Sequence, residues 1–432
     1  MKSVNFNINI EHITRVEGHG NIVVDVKNGE IKECQWQVVE APRFFEAMVR
    51  GRKWDELAHI TSRICGICSV AHTMASLKAT EAAFGITASE QTVRLRKILK
   101  HGENFQSHIL HVGYLVLPDL AGVGSVFPLA ETHKEELLTV IRLHRLSNDI
   151  CDIVGGRTTH PVSAVVNRFT KLPDPKALLE IKERCKSALD DLQVVASLVK
   201  SLSEKIPAFE RETEYIALKS EEEYAIYDGV IASTDTGTHP VERYQEIVNE
   251  YVVPQSTAKY TRHNRDSYMV GALARFNLNH EKLTPLAKKV AEDLGLKAIC
   301  YNSYMNSVAQ LVECVYSVEE CIRLIDEILT EGLREEERRI SVKTGRGIGA
   351  VEAPRGMLIH DYTFNKDGVC IEANCVIPTN QNHSNIQKDM ETLLPTIIDK
   401  PQEEIRLTLE MLVRAYDPCI SCSTHFLKVE FV

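Results

Sequence analysis

RICGICSVAH at residues 63–72 and DPCISCSTH at residues 417–425 decide how this chain folds. Each stretch contains two cysteines three positions apart, followed by a histidine. That spacing can direct both sulfurs of a pair at one metal, and four thiolates select a soft ion such as nickel, iron or zinc over calcium or magnesium. Since one pair lies near each end of the chain, we predict a fold that brings the two ends together around a buried metal site.

The cysteine spacing alone leaves other interpretations open. A zinc ribbon normally places its two pairs about 15 to 20 residues apart on turns, whereas most of this chain separates them. A thioredoxin-like redox pair would need a βαβ context, which neither motif has. Coincidental core cysteines would not explain the matching histidines. The spacing therefore predicts a metal site but does not choose the metal.

Composition narrows the class of protein. The chain has 432 residues, with 60 acidic and 50 basic side chains and a formal charge of -10, and no block of Lys and Arg stands out. Nucleic acid is therefore not an expected partner. Twelve cysteines are too sparse for a disulfide scaffold, and the N-terminus lacks signal-peptide features, so we expect a cytoplasmic protein. The longest apolar run, roughly residues 108–128, is interrupted by His111, Pro118 and Asp119, and we expect no membrane span.

We predict a single α+β domain, mainly α-helical, over residues 1–432. The expected architecture is a large helical bundle with a small N-terminal antiparallel sheet and a C-terminal hairpin. Asn28-Gly29 and Asp367-Gly368 supply the turn residues of the two hairpins. The predicted subdivisions are the N-terminal sheet at 1–40, the helical bundle at 43–205, an insertion or edge subdomain at 222–275, and helices, hairpin and metal motif at 281–432.

Helical periodicity marks several individual helices. Thr87 to Glu90 resembles a capping box before a long segment that reaches Leu117, and Asp174 precedes another long amphipathic run. Four further helices are expected at about 281–295, 318–340, 383–396 and 401–415.

Five motifs together resemble the large, catalytic subunit of nickel-iron hydrogenases. They are RVEGHG at 15–20, RICGICSVAH, APRG at 353–356, NCVIPTNQN at 374–382 and DPCISCSTH. The resemblance runs from about Ile10 to His425, and the two cysteine motifs are its most specific part. It implies the nickel-iron hydrogenase large-subunit fold and reversible heterolytic cleavage of H2 to protons and electrons.

The resemblance also implies the ligands of the metal centre. By it, Cys65 and Cys419 are terminal nickel ligands, while Cys68 and Cys422 bridge nickel to an iron that carries carbon monoxide and cyanide. Two groups are candidates for the base that takes the first proton, the sulfur of Cys419 and the guanidinium of Arg355, which the family suspends over the metals. The sequence leaves that choice open.

Several other residues match family positions around the centre. Glu17 matches the glutamate that accepts a proton from the terminal cysteine, and His72, four residues after Cys68, is expected to reach a bridging sulfur. Without the resemblance, Glu17 reads as a solvated strand-end glutamate and Arg355 as a surface ion-pair residue. The residues expected to contact the cyanides or the suspended arginine are Pro378, Thr379 and Asp417.

A second metal site is implied near the C-terminus. Glu46 and His425 match the family's magnesium ligands, with the backbone carbonyl of Cys375 as a third. Oxygen ligands suit magnesium, although imidazole is an unusual partner for so hard an ion. We expect this site to be structural or proton-conducting.

Two departures from the family pattern stand out. Ser107 occupies the position of an aspartate that pairs with the suspended arginine in many membrane-bound members, so the hydrogen bonds of Arg355 must differ. This variant resembles the cytosolic, cofactor-coupled branch. The alternating tail Phe426–Val432 is predicted to be a retained, docked strand, although members usually lose an extension there.

The resemblance implies an obligatory iron-sulfur small subunit, because the chain has no further clustered cysteine motif for such clusters. Further electron-transfer subunits are expected, with NAD(P), a deazaflavin, ferredoxin or a disulfide as acceptor. Two alternatives remain: a structural, proton-coupling relative from a respiratory complex, whose members lack the four cysteines, and a structural zinc scaffold.

Overall fold

The chain opens with a three-stranded antiparallel sheet in the order β1-β2-β3. The computed structural model describes residues 5–337 and 340–425. Asn28 and Gly29 both adopt positive φ, at 54° and 76°, as the predicted Asn-Gly turn requires. Alternate residues of the first two strands are buried, so one face of the sheet packs into the core. The strands are β1 (Phe6–Ile10), β2 (Gly20–Lys27) and β3 (Glu30–Val38).

A helical region follows the sheet. Its helices and one short hairpin are α1 (Phe45–Val49), α2 (Leu57–Thr61), α3 (Ser69–Phe84), α4 (Glu90–Leu110), α5 (Leu117–Leu120), α6 (Leu129–Thr132), α7 (Lys134–Gly155), β4 (Ala164–Val165), β5 (Arg168–Phe169) and α8 (Pro175–Ser201). Asp174 caps α8, and its carboxylate accepts a hydrogen bond from the Lys176 amide at 2.9 Å. The prediction at α4 needs correction, because the cap is Ser89, which accepts from the Thr92 amide at 3.0 Å. The segment reaches α5 through a π-helical stretch, His111–Val116.

The middle region is mixed, and it begins earlier than the expected boundary at residue 222. Its main feature is a four-stranded sheet in the order β11 (Tyr268–Met269), β6 (Glu214–Lys219), β7 (Val230–Ser233) and β8 (Gly237–His239). Ile216 and Ile231 from this sheet pack with Met357 and Ile359 in one buried hydrophobic cluster. The region therefore shares a core with the C-terminal strands. Its elements are β6 (Glu214–Lys219), β7 (Val230–Ser233), β8 (Gly237–His239), α9 (Tyr244–Ile247), β9 (Asn249–Tyr251), β10 (Tyr260–Arg262) and β11 (Tyr268–Met269).

The C-terminal region combines helices with a second three-stranded antiparallel sheet, in the order β12-β13-β14. The predicted hairpin joins β13 and β14, and Gly368 in its turn has φ 71°. The predicted helix at 318–340 is misplaced: α12 begins at residue 306, where its first turns are buried on all sides and show no amphipathic period. The elements are α10 (Ala272–Asn279), α11 (Pro285–Asp293), α12 (Asn306–Glu331), β12 (Gly345–Ala353), β13 (Gly356–Phe364), β14 (Cys370–Val376), α13 (Pro378–Ile397), α14 (Gln402–Ala415) and α15 (Ile420–Ser423).

Strand β12, which sequence analysis missed, packs directly against helix α3. A Cβ added at Gly347 would lie 2.1 Å from the carbonyl oxygen of Ala79, and one at Gly349 would lie 2.2 Å from that of Ala75. The alternating glycines therefore let strand and helix approach to backbone contact. Because α3 starts just after Cys68 and β12 ends just before Arg355, this packing joins the helix that follows the first cysteine motif to the strand that leads to the arginine.

The α+β, mainly helical fold class is confirmed by these elements. No helix in the described parts of the chain combines the length and the apolar character needed to cross a membrane. The predicted docked tail, Phe426–Val432, lies outside the described residues.

Candidate metal centre

The four motif cysteines converge in the core. The Sγ atoms of Cys65 and Cys419 lie 3.4 Å apart, and those of Cys68 and Cys422 lie 3.9 Å apart. All four sulfurs lie within 4.8 Å of one another, and all four residues are buried. Within the described residues, this is the one cluster of three or more Cys, His, Asp or Glu with metal-binding spacing. The two ends of the chain thus meet at one place, as the motifs predict.

Local backbone contacts shape the first cysteine loop. The sulfur of Cys65 accepts hydrogen bonds from the amides of Ile67 and Cys68, each at 3.2 Å. These two donors favour the thiolate form of Cys65. The loop is therefore suited to present an anionic sulfur to a metal.

Two residues that sequence analysis missed hold the cysteine loops. The buried carboxylate of Glu103 accepts hydrogen bonds from the amides of Val70 and Ala71 at 2.6 and 3.0 Å, which caps helix α3. Arg43 donates to the carbonyl of Ile64 at 2.7 Å and to that of Ser421, so it ties the first loop to the second. No local sequence pattern marks either contact, because each partner lies far away along the chain.

The electrostatics of the cluster fit a cation. Burial raises the pKa of the Cys419 and Cys422 thiols well above the ordinary value. Hydrogen bonds from the other three thiols hold the pKa of Cys65 well below it. Four thiolates this close together repel one another in a low-dielectric interior. They can all be ionised only around positive charge, so the donor set suits a soft metal ion or a metal pair.

Arg355 and Asp417 form a buried ion pair beside the cysteines. Arg355 Nε donates to the backbone carbonyl of Asp417 at 2.5 Å, and Nη2 donates to its Oδ1 at 2.8 Å. Nη1 of Arg355 is buried and has no hydrogen-bond partner in the described part of the chain. Gln310 donates to Asp417 Oδ2 at 2.9 Å, which fixes the carboxylate from helix α12. The surface ion-pair interpretation of Arg355 is therefore wrong, since the residue is 4% exposed.

Glu17 is half-buried and lies against the second cysteine motif. Its backbone carbonyl accepts from the Ile420 amide at 2.9 Å, and its carboxylate accepts from the Ser421 amide at 3.2 Å and from the Ser421 hydroxyl. The neighbouring Gly18 has φ 87°, and a Cβ there would lie 2.7 Å from Ile420 Cβ. Glycine thus permits the close approach that brings the Glu17 carboxylate to the motif.

Glu46, Cys375 and His425 also meet in the core. His425 Nε2 lies 2.8 Å from the Cys375 carbonyl oxygen and 3.5 Å from Glu46 Oε1. The Cys375 amide donates to the same Glu46 oxygen at 2.8 Å. Burial by itself raises the pKa of Glu46, but the hydrogen bonds from His425 and Cys375 bring it below its usual value. A carboxylate, a carbonyl and an imidazole are thus close enough to share one ion.

The remaining expected residues take up distinct contacts. Thr379 Oγ1 accepts from the Cys419 amide at 3.1 Å, and the neighbouring Pro378 is the buried first residue of α13. The expected hydrogen bond from His72 to a bridging sulfur is not made: Nδ1 lies 3.1 Å from His360 Nε2, and Nε2 has no partner among the described residues. Ser107 is buried, and its hydroxyl likewise lacks a partner there.

Comparison with known families gives two matches along the chain. A family model described as nickel-dependent hydrogenase matches residues 43–136 and 211–425. A second model, described as HoxL-like, matches residues 7–41. Both metal-site motifs fall within the first match.

Several known proteins are similar over nearly their whole length. The alpha subunit of sulfhydrogenase 1 from Pyrococcus furiosus is 34% identical, over 99% of this chain and 100% of that protein. The alpha subunit of sulfhydrogenase 2 from the same organism is 32% identical, over 98% of this chain and 100% of that protein.

Solved structures show the same architecture. An NAD+-reducing [NiFe]-hydrogenase in the H2-reduced state superposes with a TM-score of 0.88 at 25% identity, covering 98% of this chain and 100% of that chain. A [NiFeSe] hydrogenase variant from Desulfovibrio vulgaris Hildenborough, at 22% identity and a TM-score of 0.77, shares the fold over 98% of this chain and 100% of that chain.

Proposed function

Because this chain belongs to the nickel-dependent hydrogenase family, we propose that its four clustered cysteines hold a nickel-iron pair at which H2 is cleaved reversibly and heterolytically. The enzyme is an oxidoreductase that acts on H2. The observation that carries the assignment is the convergence of the four buried sulfurs within 4.8 Å of one another. A relative from a respiratory complex that lacks these cysteines could not offer this donor set.

Each sulfur pair takes one cysteine from each motif, as the proposed ligand roles do. Cys65 and Cys419, the proposed terminal nickel ligands, form the closer pair at 3.4 Å. Cys68 and Cys422, the proposed bridging ligands, form the other pair at 3.9 Å. When bound, the metal pair supplies the electron-rich centre at which the H–H bond is polarised. Carbon monoxide and cyanide on the iron, with Pro378 and Thr379 beside them, stay part of this proposal.

We assign the first proton acceptor to the Cys419 sulfur rather than to Arg355. The guanidinium is always charged in proteins, and Asp417 holds it through two hydrogen bonds, so it has no free site for a proton. Its buried positive charge instead stabilises negative charge on the sulfurs of Cys65, Cys68 and Cys419. Arg355 therefore acts as an electrostatic residue and orients the site.

Glu17 continues the proton route from Cys419. The two residues form a β-bridge, so the carboxylate stands beside the cysteine loop. The Ser421 hydroxyl and amide hold that carboxylate in place. A carboxylate fixed beside the cysteine loop can take the proton and pass it outward, which is the role of a general base in a relay.

The Glu46, Cys375 and His425 cluster supports a magnesium site. A carboxylate and a carbonyl oxygen are ligands that magnesium prefers, with waters completing its octahedron. His425 Nδ1 also donates to the Cys422 carbonyl at 3.1 Å, so an ion here would brace the second cysteine motif. We propose a structural ion that also holds His425 in place.

Electrons must leave through another protein. In the described residues, the four-cysteine centre is the one metal-binding cysteine cluster, and a chain of iron-sulfur clusters therefore requires a partner. The relatives named as hydrogenase alpha subunits support a multi-subunit assembly with an iron-sulfur small subunit. The NAD+-reducing hydrogenase structure supports an acceptor such as NAD(P), and deazaflavin, ferredoxin or a disulfide stay alternatives. A cytoplasmic location stays a prediction.

The test is metal analysis of the purified complex, combined with H2-dependent dye reduction. We expect about one nickel per large subunit, iron in excess of nickel because the clusters of the small subunit also contribute, and activity that tracks the nickel content. Zinc without nickel, in a protein that reduces no dye under H2, would replace this proposal with the structural zinc scaffold.

A further inference from the structure

Arg275 lies behind the turn that carries Arg355. It belongs to helix α10, and its side chain is 0% exposed. Its Nη1 donates to the carbonyl of Ala353 and its Nη2 to that of Pro354, both at 2.9 Å. These carbonyls belong to the two residues immediately before Arg355. The Arg275 guanidinium therefore holds the backbone that carries Arg355.

Two carboxylates fix Arg275 in that position. Glu313 accepts hydrogen bonds from Arg275 Nε and Nη2 at 2.7 and 2.6 Å, and Glu352 accepts one from Nη1 at 2.9 Å. With the two carbonyls, these contacts use all five N–H groups that a guanidinium offers. A lysine has three donors and no planar fork, so it could not make the same set.

The carboxylates are themselves held from several elements. Glu313 lies on α12 and also contacts His108 Nε2 of α4 at 2.7 Å and the Tyr224 hydroxyl at 2.7 Å. Glu352 lies on β12 and accepts from the Leu218 amide of β6 at 2.7 Å. The cluster thus joins helices and strands around Arg275, and each charged group in it has a partner.

The turn that carries Arg355 is short. Ala353 pairs with Gly356, which leaves a tight turn of Pro354 and Arg355 at the tip of β12 and β13. Within the described residues, the hydrogen bonds of the Arg355 side chain all go to Asp417. Among the described residues, the Ser107 hydroxyl has no hydrogen-bond partner. Ser107 of helix α4 therefore does not hydrogen-bond to the Arg355 guanidinium.

We propose that Arg275 is a positioning residue for Arg355: it fixes the 353–356 turn so that the Arg355 guanidinium stays beside the cysteine cluster. This inference rests on the proposed role of Arg355. A displacement of about 1 Å in a group that acts by position can lower the rate of the chemical step by about 100-fold. Arg275 acts through the turn and through Arg355.

The test compares Arg275→Lys with Arg96→Lys in the purified complex. Arg96 is also buried and also makes a two-pronged ion pair, with Glu81, but its hydrogen bonds go to groups outside the turn. We expect R275K to lower kcat about 100-fold with little change in KM for H2 and in nickel content. R96K should lose stability and keep both kinetic constants.

A second readout does not depend on activity. In R275K, hydrogen-deuterium exchange of a peptide covering residues 353–358 should speed up about tenfold, while in R96K it should stay at the wild-type rate. In an R355K background, R275K should cause no further fall in kcat, because the two residues act as one unit. If R275K does not fold, E313Q replaces it, because this variant keeps Arg275 but weakens one of the two ion pairs that hold it. E313Q should show the same fall in kcat and the same faster exchange at residues 353–358, each to a smaller extent.

The outcomes separate the two claims. If R355K keeps wild-type kcat, the proposed role of Arg355 fails. If R355K is impaired but R275K, or E313Q in its place, matches R96K in kcat and in exchange at 353–358, Arg275 does not position the turn. Additive losses in the double variant would also overturn the proposal.

Discussion

The sulfur atoms of Cys65 and Cys419 lie 3.4 Å apart, although 354 positions separate the two residues along the chain. Neither end of the chain can therefore build the centre alone. Closing so long a loop costs conformational entropy, which the packed core between the two ends must offset. Metal retention should report on the whole fold as well as on the four ligands.

Replacing Cys419 by serine should remove nickel and abolish H2-dependent dye reduction. A hydroxyl is a much poorer ligand for a soft ion than a thiolate, and it is not ionised near neutral pH. The matched control is Cys300→Ser, a half-buried single cysteine outside the cluster, which should keep metal and activity. Equal nickel content in the two variants would contradict the ligand assignment.

Replacing Glu17 by glutamine should slow turnover about 100-fold or more, with nickel content unchanged, because the amide cannot relay a proton. The control is Glu40→Gln, a nearby carboxylate that pairs with the exposed His19 at 2.9 Å. Rates of H2 oxidation in both variants, with metal analysis alongside, provide the measurement. Similar rates in E17Q and E40Q would remove Glu17 from the proton route.

Replacing Glu46 by glutamine should lower the magnesium content and the melting temperature. The change removes the anionic ligand and leaves two neutral ones, which bind a hard cation weakly. Glu56→Gln, an exposed carboxylate on the surface, serves as the control. Wild-type protein that contains no magnesium, or E46Q that retains it fully, would argue against the site.

Gly18→Ala tests the approach of the Glu17 loop to the second motif. Gly18 and Gly29 have similar φ, 87° and 76°, but a Cβ at Gly29 meets nothing within 4 Å. Both alanine variants should lose roughly 1 kcal/mol from the positive φ. G18A should lose about 1 to 3 kcal/mol more from the clash with Ile420, together with activity. Matching unfolding free energies for the two variants would show that the loop can move aside.

Glu352 should make stability depend on pH. Burial raises its pKa from 4.5 to about 7, only partly opposed by Arg275. The folded state therefore holds a proton that the unfolded chain releases, so the stabilisation is present at pH 4.5 and is lost as pH rises to about 7. Over that range the free energy of unfolding should fall by about 3 kcal/mol more in the wild type than in E352Q. The measurement is denaturant titration of both proteins across this pH range. If the unfolding free energies of the wild type and E352Q change with pH in parallel, Glu352 does not cause the pH dependence.

Local sequence patterns predicted features that are set within a few residues. Asn28-Gly29 and Asp367-Gly368 form the expected turns because glycine and asparagine tolerate positive φ. Asp174 caps its helix for a similarly local reason, its short side chain reaching the Lys176 amide. Buried elements escaped prediction: β12 and the start of α12 are largely covered on both faces, so they lack the alternation that marks an exposed face.

The sequence by itself determined the donor set of the centre, since cysteines three positions apart can share a metal wherever the fold carries them. Only the tertiary structure decided how that set is held. Three charged residues contact backbone groups far away along the chain: Glu103, Arg43 and Arg275. No local sequence pattern predicts such contacts. Their physical basis is the burial of charge, which is tolerated only where distant elements supply the hydrogen-bond partners.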